Sequence, residues 1–401
     1  MRKYLALLIF MFLLMPARFY AQQNPLLLSL DKALEMASDN YYPIRIAEAE
    51  IELAKGKTGG LSMLPPTEAF FQKGELFSSR NDHNLEILQS FGSVPSYFVR
   101  KQIDSKKLEQ HHIVLEMTQN ELEMKVKQYW YTWLYLYEKQ KQMDRHLFYF
   151  REKQRIAELQ YKAGETELIE LLNIRTTTAK AETDLSKIKS GIEMIANNLR
   201  QLISWDNDIL LPDINLEMYL IDFSSTEKNF SGDNMHTEYY RLLSEIAGLN
   251  KSLARTRLFP EISAGVFNRS IEGLNGFTGW QISLGIPLWS LPFRNEIRQS
   301  RILEDISHYE MESKRDEMKI IINNIIYKLD QLYEEIVYYN QHALENALNI
   351  EETVLLQYER EDIEFDQVFK SMKNVYKIRR GYLTALNEYN QLAIQLEYYV
   401  K

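Results

Sequence analysis

The chain contains no cysteine, which excludes disulfides, thiolate metal sites, a cysteine nucleophile and an acylated lipoprotein anchor. Proline and glycine are restricted by position more than by number. None of the ten prolines lies between Ser96 and Leu211 or after Pro292, so two stretches of about 110 residues hold no helix breaker. Glycine is nearly absent there too, appearing as Gly164, Gly191 and Gly381. Positive charge is in deficit, with 47 basic against 56 acidic residues, which argues against nucleic acid as a partner. Past Ala21 no run approaches the roughly 18 consecutive apolar residues that a membrane helix needs.

What is present begins with a leader. Arg2 and Lys3 precede an apolar run from Tyr4 to Met15, and Pro16, Ala17 and Ala21 lead into Gln22-Gln23. This is the pattern of a secretory signal peptide over residues 1–21, cut after Ala21. The expected mature chain is exported and carries no helical anchor.

Two short motifs then recur at one offset. Leu159-Gln160-Tyr161 returns as Leu356-Gln357-Tyr358, each followed by a charged and then an apolar segment, and Ser93-Val94-Pro95 returns as Ser290-Leu291-Pro292. Both pairs are 197 positions apart. Shared register over so long a chain indicates internal duplication. The first repeat is read as 22–235, with a helix, a strand pair at about 67–91, a long helical hairpin at about 96–203 and a linker at about 204–235. The second, 236–401, has a helix, a strand pair at about 261–288 and a hairpin at about 293–400.

Apolar residues three and four apart in the proline-free stretches, such as Met318, Ile321, Ile325, Leu329, Leu332 and Ile336, form the stripe of a helix packed along one face. If each stretch turns once near the repeated tripeptide, its first arm has about 60 residues and reaches about 90 Å. Helices that long, charged on their other faces, pack on one another as an extended coiled-coil-like bundle. Ahead of each stretch the period changes to two: Trp280, Ile282, Leu284 and Ile286 alternate with Gln281, Ser283 and Gly285, as Ile262, Ala264 and Val266 do with Glu261, Ser263 and Gly265. The first repeat has a looser version, Leu85, Ile87 and Phe91 against Glu86, Leu88 and Ser90, with a partner strand near Thr67 to Leu76. Polar loops, Ser78 to Asn84 and Asn268 to Gly276, join the pairs. Strands with one apolar and one polar face suit a transmembrane β-barrel and equally a soluble edge or sandwich. Four strands cannot close a barrel, so the membrane reading needs several chains to share one.

The order of signal peptide, short helix, strand pair and long helical hairpin, then the same again, resembles the TolC-type outer-membrane efflux proteins. Tyr161-Lys162-Ala163-Gly164-Glu165, trailed by Leu168, Leu171 and Leu172, is similar to that family's Tyr-x-x-Gly turn. The Ser-x-Pro segments fall where its strands run into helices, and Leu64-Pro65 and Leu258-Phe259-Pro260 fall where helices run into strands. The resemblance implies an α+β chain of duplicated hairpins with four membrane strands. Three chains would form a twelve-stranded barrel in the outer membrane above a periplasmic helical tunnel. It also implies a homotrimer that meets outer-membrane lipid, a periplasmic adaptor (membrane fusion) protein and an inner-membrane pump, as the passive exit duct of a tripartite efflux or type I secretion system.

Two positions depart from that pattern. Glu361 stands where the second turn would have glycine, and a left-handed backbone angle costs least without a Cβ. The acidic residues that family members place nine and twelve positions beyond the second tyrosine are, counted from Tyr358, Gln367 and Lys370; from Tyr161 the same count gives Glu170 and Asn173. Asp362, Glu364 and Asp366 are neighbouring carboxylates that could take the place of that ring at the tunnel mouth.

Nothing in the sequence points to chemistry. Gly273, Gly276 and Gly279 read as a hairpin loop rather than a nucleotide turn. The seven histidines include no His-x-x-x-His pair, and His111-His112 point to different faces of a helix, so no metal site is expected. The run Tyr129 to Tyr135 reads as bulky helix packing. No catalytic residue, cofactor or enzyme activity is assigned. The alternative from another class is a soluble periplasmic coiled-coil adaptor that binds partners by helix packing.

Overall fold

A computed structural model describes residues 26–57, 64–77, 79–221, 234–289 and 291–401. The signal peptide and Ser290 of the repeated Ser-x-Pro motif lie outside them. The elements in chain order are β1 (Leu26–Leu27), α1 (Leu30–Asn40), α2 (Tyr42–Lys57), β2 (Glu68–Gly74), β3 (Asp82–Gly92), α3 (Val94–Ala163), α4 (Leu168–Ile203), β4 (Ile209–Leu210), α5 (Met235–Thr256), β5 (Glu261–Ile271), β6 (Leu274–Gly285), α6 (Leu291–Tyr338), a π-turn (Tyr339–Ala343), α7 (Leu344–Glu359) and α8 (Phe365–Val400).

The absence of proline and glycine is expressed as helix length. α3 runs 70 residues without a break, about 105 Å at 1.5 Å per residue, longer than the 60-residue arm the sequence suggests. Ser93 is its N-cap residue and Pro95 sits in its first turn, where proline costs no hydrogen bond. The offset of 197 reappears in the backbone: α3 and α6 begin at Val94 and Leu291, and α4 and α8 span Leu168–Ile203 and Phe365–Val400.

Two apolar clusters hold the helices side by side. In the larger, Trp130, Trp133 and Leu134 of α3 pack with Leu199 and Ile203 of α4, Ala33 and Ala37 of α1, Leu329 and Ile336 of α6, and Leu386 and Leu396 of α8. Trp130 and Trp133 meet edge to face at 6.2 Å, so the aromatic run is packing. The buried stripe of α6 is Met318, Ile322, Ile325, Leu329, Leu332 and Ile336; Ile322 takes the place expected of Ile321, because it keeps the spacing of four and three that a straight seam needs. The smaller cluster joins Met143, Leu147 and Phe150 of α3 to Leu171, Ile174, Ala181 and Leu185 of α4.

The strands form one antiparallel sheet in the order β2-β3-β5-β6 at the end of the bundle where α3 and α6 begin. β1 pairs in parallel with β4, Leu26 opposite Ile209, away from that sheet. No described helix is long and apolar enough to cross a membrane.

Candidate functional site

Register decides what each face of the sheet presents. Phe71 lies opposite Leu85, Ile87 opposite Val266, and Val266, Ala264 and Ile262 opposite Trp280, Ile282 and Leu284. Side chains one strand position apart point to opposite faces, so these residues share one face, and it is uncovered: Phe71 is 67% exposed, Trp280 76% and Ile282 64%. So large an apolar patch is not left to water in an ordinary soluble chain.

The other face is polar. Glu86 accepts from the Gln281 amide, and Arg269 Nε donates to Asn84 Oδ1 at 3.0 Å while its guanidinium lies over Phe267 at 4.1 Å. Gly279 is where Phe267 crosses to the next strand, since a Cβ there would come within 2.9 Å of its ring carbon Cε1. At the far rim Gly273 N–H donates to Asp82 Oδ1 at 3.2 Å and Arg80 Nη1 donates to the Glu272 carbonyl at 2.9 Å, tying the two hairpin loops together. Gly273 and Gly276 take φ of 76° and 98°, but the loop expected from Asn268 to Gly276 shrinks to Glu272 and Gly273, because β5 and β6 keep pairing up to Ile271 and Leu274; Gly276 and Gly279 lie within β6.

At the opposite end of the bundle the two repeated motifs form two turns of one design. Gly164 N–H donates to the Tyr161 carbonyl at 3.1 Å and Glu165 N–H to Gln160 at 2.8 Å; Glu361 N–H donates to Tyr358 at 3.0 Å and Asp362 N–H to Gln357 at 2.9 Å. These paired bonds cap the last carbonyls of α3 and α7. Tyr161 and Tyr358 are each 41% exposed, and the Tyr358 ring meets Phe365 edge-on at 5.8 Å.

Two of the carboxylates singled out in the sequence share a partner that was not. Lys153 of α3, its side chain only 8% exposed, forms an ion pair with Asp366 of α8 and stands 3.5 Å from Glu170 of α4. Glu170 also accepts from the Thr166 hydroxyl at 2.8 Å. Asp362, Glu364, Gln367, Lys370 and Asn173 are exposed around this link, and among the described residues none of Asp362, Glu364 or Lys370 has an ion pair. Lys153 was missed because its partners lie on other helices, far along the chain.

Between tip and sheet, His146 stacks on Tyr376 at 4.0 Å and meets Phe150 edge-on. Burial, then the Lys373 charge, push its pKa down to about 4. Nearer the sheet, Lys127 is buried and bonds the Tyr219 hydroxyl at 2.8 Å, Glu123 at 2.6 Å and Glu397 at 2.8 Å, joining α3, α8 and the segment after β4. Burial alone would lower the Lys127 pKa, but the bonds to Glu123, Glu397 and Tyr219 outweigh it and hold it raised. Among the described residues no group of histidines and carboxylates has the arrangement of a metal site.

Known structures share this arrangement. CusC, a protein described in transmembrane channel formation, matches over 95% of both chains with a TM-score of 0.75 at 14% identity. The outer-membrane protein VceC of Vibrio cholerae matches over 92% of this chain and 95% of its own, TM-score 0.75, 13% identity. This is the fold of the outer-membrane channel proteins. The MtrE outer-membrane channel of Neisseria gonorrhoeae, in its open state, has the same channel fold, with 92% and 88% covered, TM-score 0.75 and 14% identity. No protein-family model and no curated protein matches the chain. The likeness to the TolC type read from the order of elements thus holds at the level of the fold.

Proposed function

We propose that the chain is one subunit of a passive outer-membrane exit duct, three copies of which close a twelve-stranded barrel over a tunnel of long helices in the periplasm. The carrying observation is the sheet: an exposed apolar face, a polar face behind it, and two open edges, β2 and β6. Unpaired backbone groups in lipid cost several kcal/mol each, so a four-stranded sheet enters a membrane only when copies pair edge to edge. β3, β5 and β6, of 11, 11 and 12 residues, have the length of tilted membrane strands. A soluble adaptor, the other class considered, gives no reason for Trp280, Ile282 and Leu284 to face outward.

On this reading 22–235 and 236–401 are the two duplicated units, and the Tyr161 and Tyr358 turns, with Gly164, Glu170, Asn173, Asp362, Glu364, Asp366, Gln367 and Lys370, surround the tunnel mouth. An inner-membrane pump and a periplasmic adaptor drive small molecules or ions through, and the chain itself performs no chemistry. Mass measurement in mild detergent should give a trimer, and the trimer should conduct in planar bilayers. A stable monomer that stays β-rich in membranes would end the proposal. Release from membranes by salt alone would favour the adaptor instead.

A further inference from the structure

The polar face of the sheet carries its charges in a fixed order. Counted from the bundle by register, Glu261 lies opposite Gly285, Glu68 opposite Leu88, and Glu86 between Phe70 and Phe267. Arg269 follows, in the layer of Gln72, Asn84, Arg269 and Phe277. It is the one basic side chain that the four strands place on this face, since Lys73 and His83 alternate to the other.

The groups that hold this guanidinium do not neutralise it. It lies over two rings, Phe267 at 4.1 Å and Phe77 at 5.3 Å, and its Nε donates to Asn84 Oδ1 at 3.0 Å. Asn84 is 5% exposed, and its Nδ2 donates to Gln72 Oε1 at 3.4 Å, which turns the amide oxygen toward Arg269. The neighbouring carboxylates in the register, Asp82 and Glu86, accept from elsewhere: Asp82 from the Phe77 and Gly273 N–H groups, Glu86 from Gln281. Among the described residues Arg269 has no ion pair, and its Nη groups have no hydrogen-bond partner. A guanidinium fixed on rings and an amide, without a counter-charge, presents its remaining N–H fork to the paired oxygens of a carboxylate or phosphate.

We propose that Arg269 is an oxyanion-binding group, positioned by Asn84 and Phe267, that takes carboxylate- or phosphate-bearing solutes at the end of the polar face far from the bundle. On the exit-duct reading this face lines the bore, and a twelve-stranded barrel is intermediate between small barrels filled by side chains and the open porins. Three copies of Arg269 then ring a narrowed passage and favour anionic passengers, the reverse of what carboxylates at the tips would do. That use rests on the channel reading, but the anion site itself does not.

Tripolyphosphate is the probe, and the full-length oligomer in detergent is the sample. Calorimetric titration should show binding by the parent that weakens about tenfold or more in Arg269→Gln. Arg269→Lys, which keeps the charge and loses the planar fork, should fall between the two. No binding by the parent, or equal affinity in Arg269→Gln, would overturn the site. Should Arg269→Gln fail to assemble, Arg269→Lys carries the comparison, and affinity equal to the parent's would overturn it. In planar bilayers under a potassium chloride gradient, Arg269→Gln should raise the potassium-to-chloride permeability ratio about twofold or more. An unchanged ratio in a conducting channel would overturn the selectivity role. Tripolyphosphate binding without any current would end the channel reading and leave the anion site standing.

Discussion

Gly164 and Glu361 hold the same left-handed backbone conformation, φ 77° and 60°, at the same step of two turns that lie 197 residues apart. One has no Cβ and the other does. The surrounding hydrogen bonds match pair for pair, so the geometry is imposed by the turn and not by the residue. A non-glycine residue in that region costs about 1 kcal/mol.

Glu361→Gly should therefore stabilise the second tip by about 1 kcal/mol, and Gly164→Ala should destabilise the first by a similar amount. Thermal melting of the purified protein reads both. A Glu361→Gly variant that melts lower than the parent would contradict the assignment of strain to this residue.

Lys153 is the nearly buried cation that ties Asp366 and Glu170 together, so Lys153→Met should loosen the tips and raise single-channel conductance without lowering the yield of oligomer. Unchanged conductance would mean that the pair does not restrain the mouth.

The exposed carboxylates carry a separate expectation. Like charges on a ring repel at about 1 to 4 kcal/mol per close pair in partly aqueous surroundings, and such a ring attracts cations. Changing Glu170, Glu364 and Asp366 to their amides should reduce cation selectivity in planar-bilayer recordings. Glu364→Gln is the cleanest single change, because no ion pair among the described residues is lost with it. Selectivity unaltered by all three would identify these side chains as a solvated surface.

His146 should make the helical bundle acid-sensitive. Its folded pKa, about 4, is below the ordinary 6.5, so the unfolded chain binds the proton first. The stability it contributes is present above pH 6.5 and is lost as pH falls toward 4, by about 2 kcal/mol between pH 7 and 5. Arg145, Arg379 and Glu351 line the adjacent cavity of about 260 Å³, and neither arginine favours a second cation there. Melting temperature against pH should flatten in His146→Phe; an unchanged acid slope would place the sensitivity elsewhere.

The sheet supplies a contrast between neighbours in sequence. Ile282→Lys puts a charge on the apolar face, at a cost of about 2 to 4 kcal/mol near a bilayer midplane, whereas Ser283→Lys lies on the polar face. The first should abolish membrane-assembled oligomer and the second should keep it. Equal yields would remove the distinction between the faces.

Much of this was readable in advance because it depends on local rules. Missing prolines mark the helices, alternation marks β5 and β6, and two repeated motifs mark the turns. What the sequence hid depends on partners distant along the chain. Lys153 looks like any helical lysine until Asp366, on another hairpin, is placed beside it. Gly381 looks like a weak point in a helix until Tyr339 is seen to occupy its missing Cβ. The π-turn leaves no compositional mark, since Tyr339 to Ala343 would serve equally in an α-helix. The hairpin of β2 and β3 was blurred because Phe70 and Leu88 interrupt the polar face, and a bulge between Ser90 and Gly92 shifts its end.

The two open edges of the sheet are unlike: β2 offers seven residues and β6 twelve. Pairing like with like would make a two-fold dimer and leave both remaining edges bare, whereas pairing β2 with β6 repeats the same contact head to tail. Head-to-tail contacts either close into a ring or extend into a fibre, and the rotation at each step decides between them. On the exit-duct reading, the bend of one four-stranded unit, to which the bulge at Ser90 and Gly92 contributes, would set how many copies complete the circle. A change that flattens this strand should alter the stoichiometry of the assembly without touching any residue at the seam.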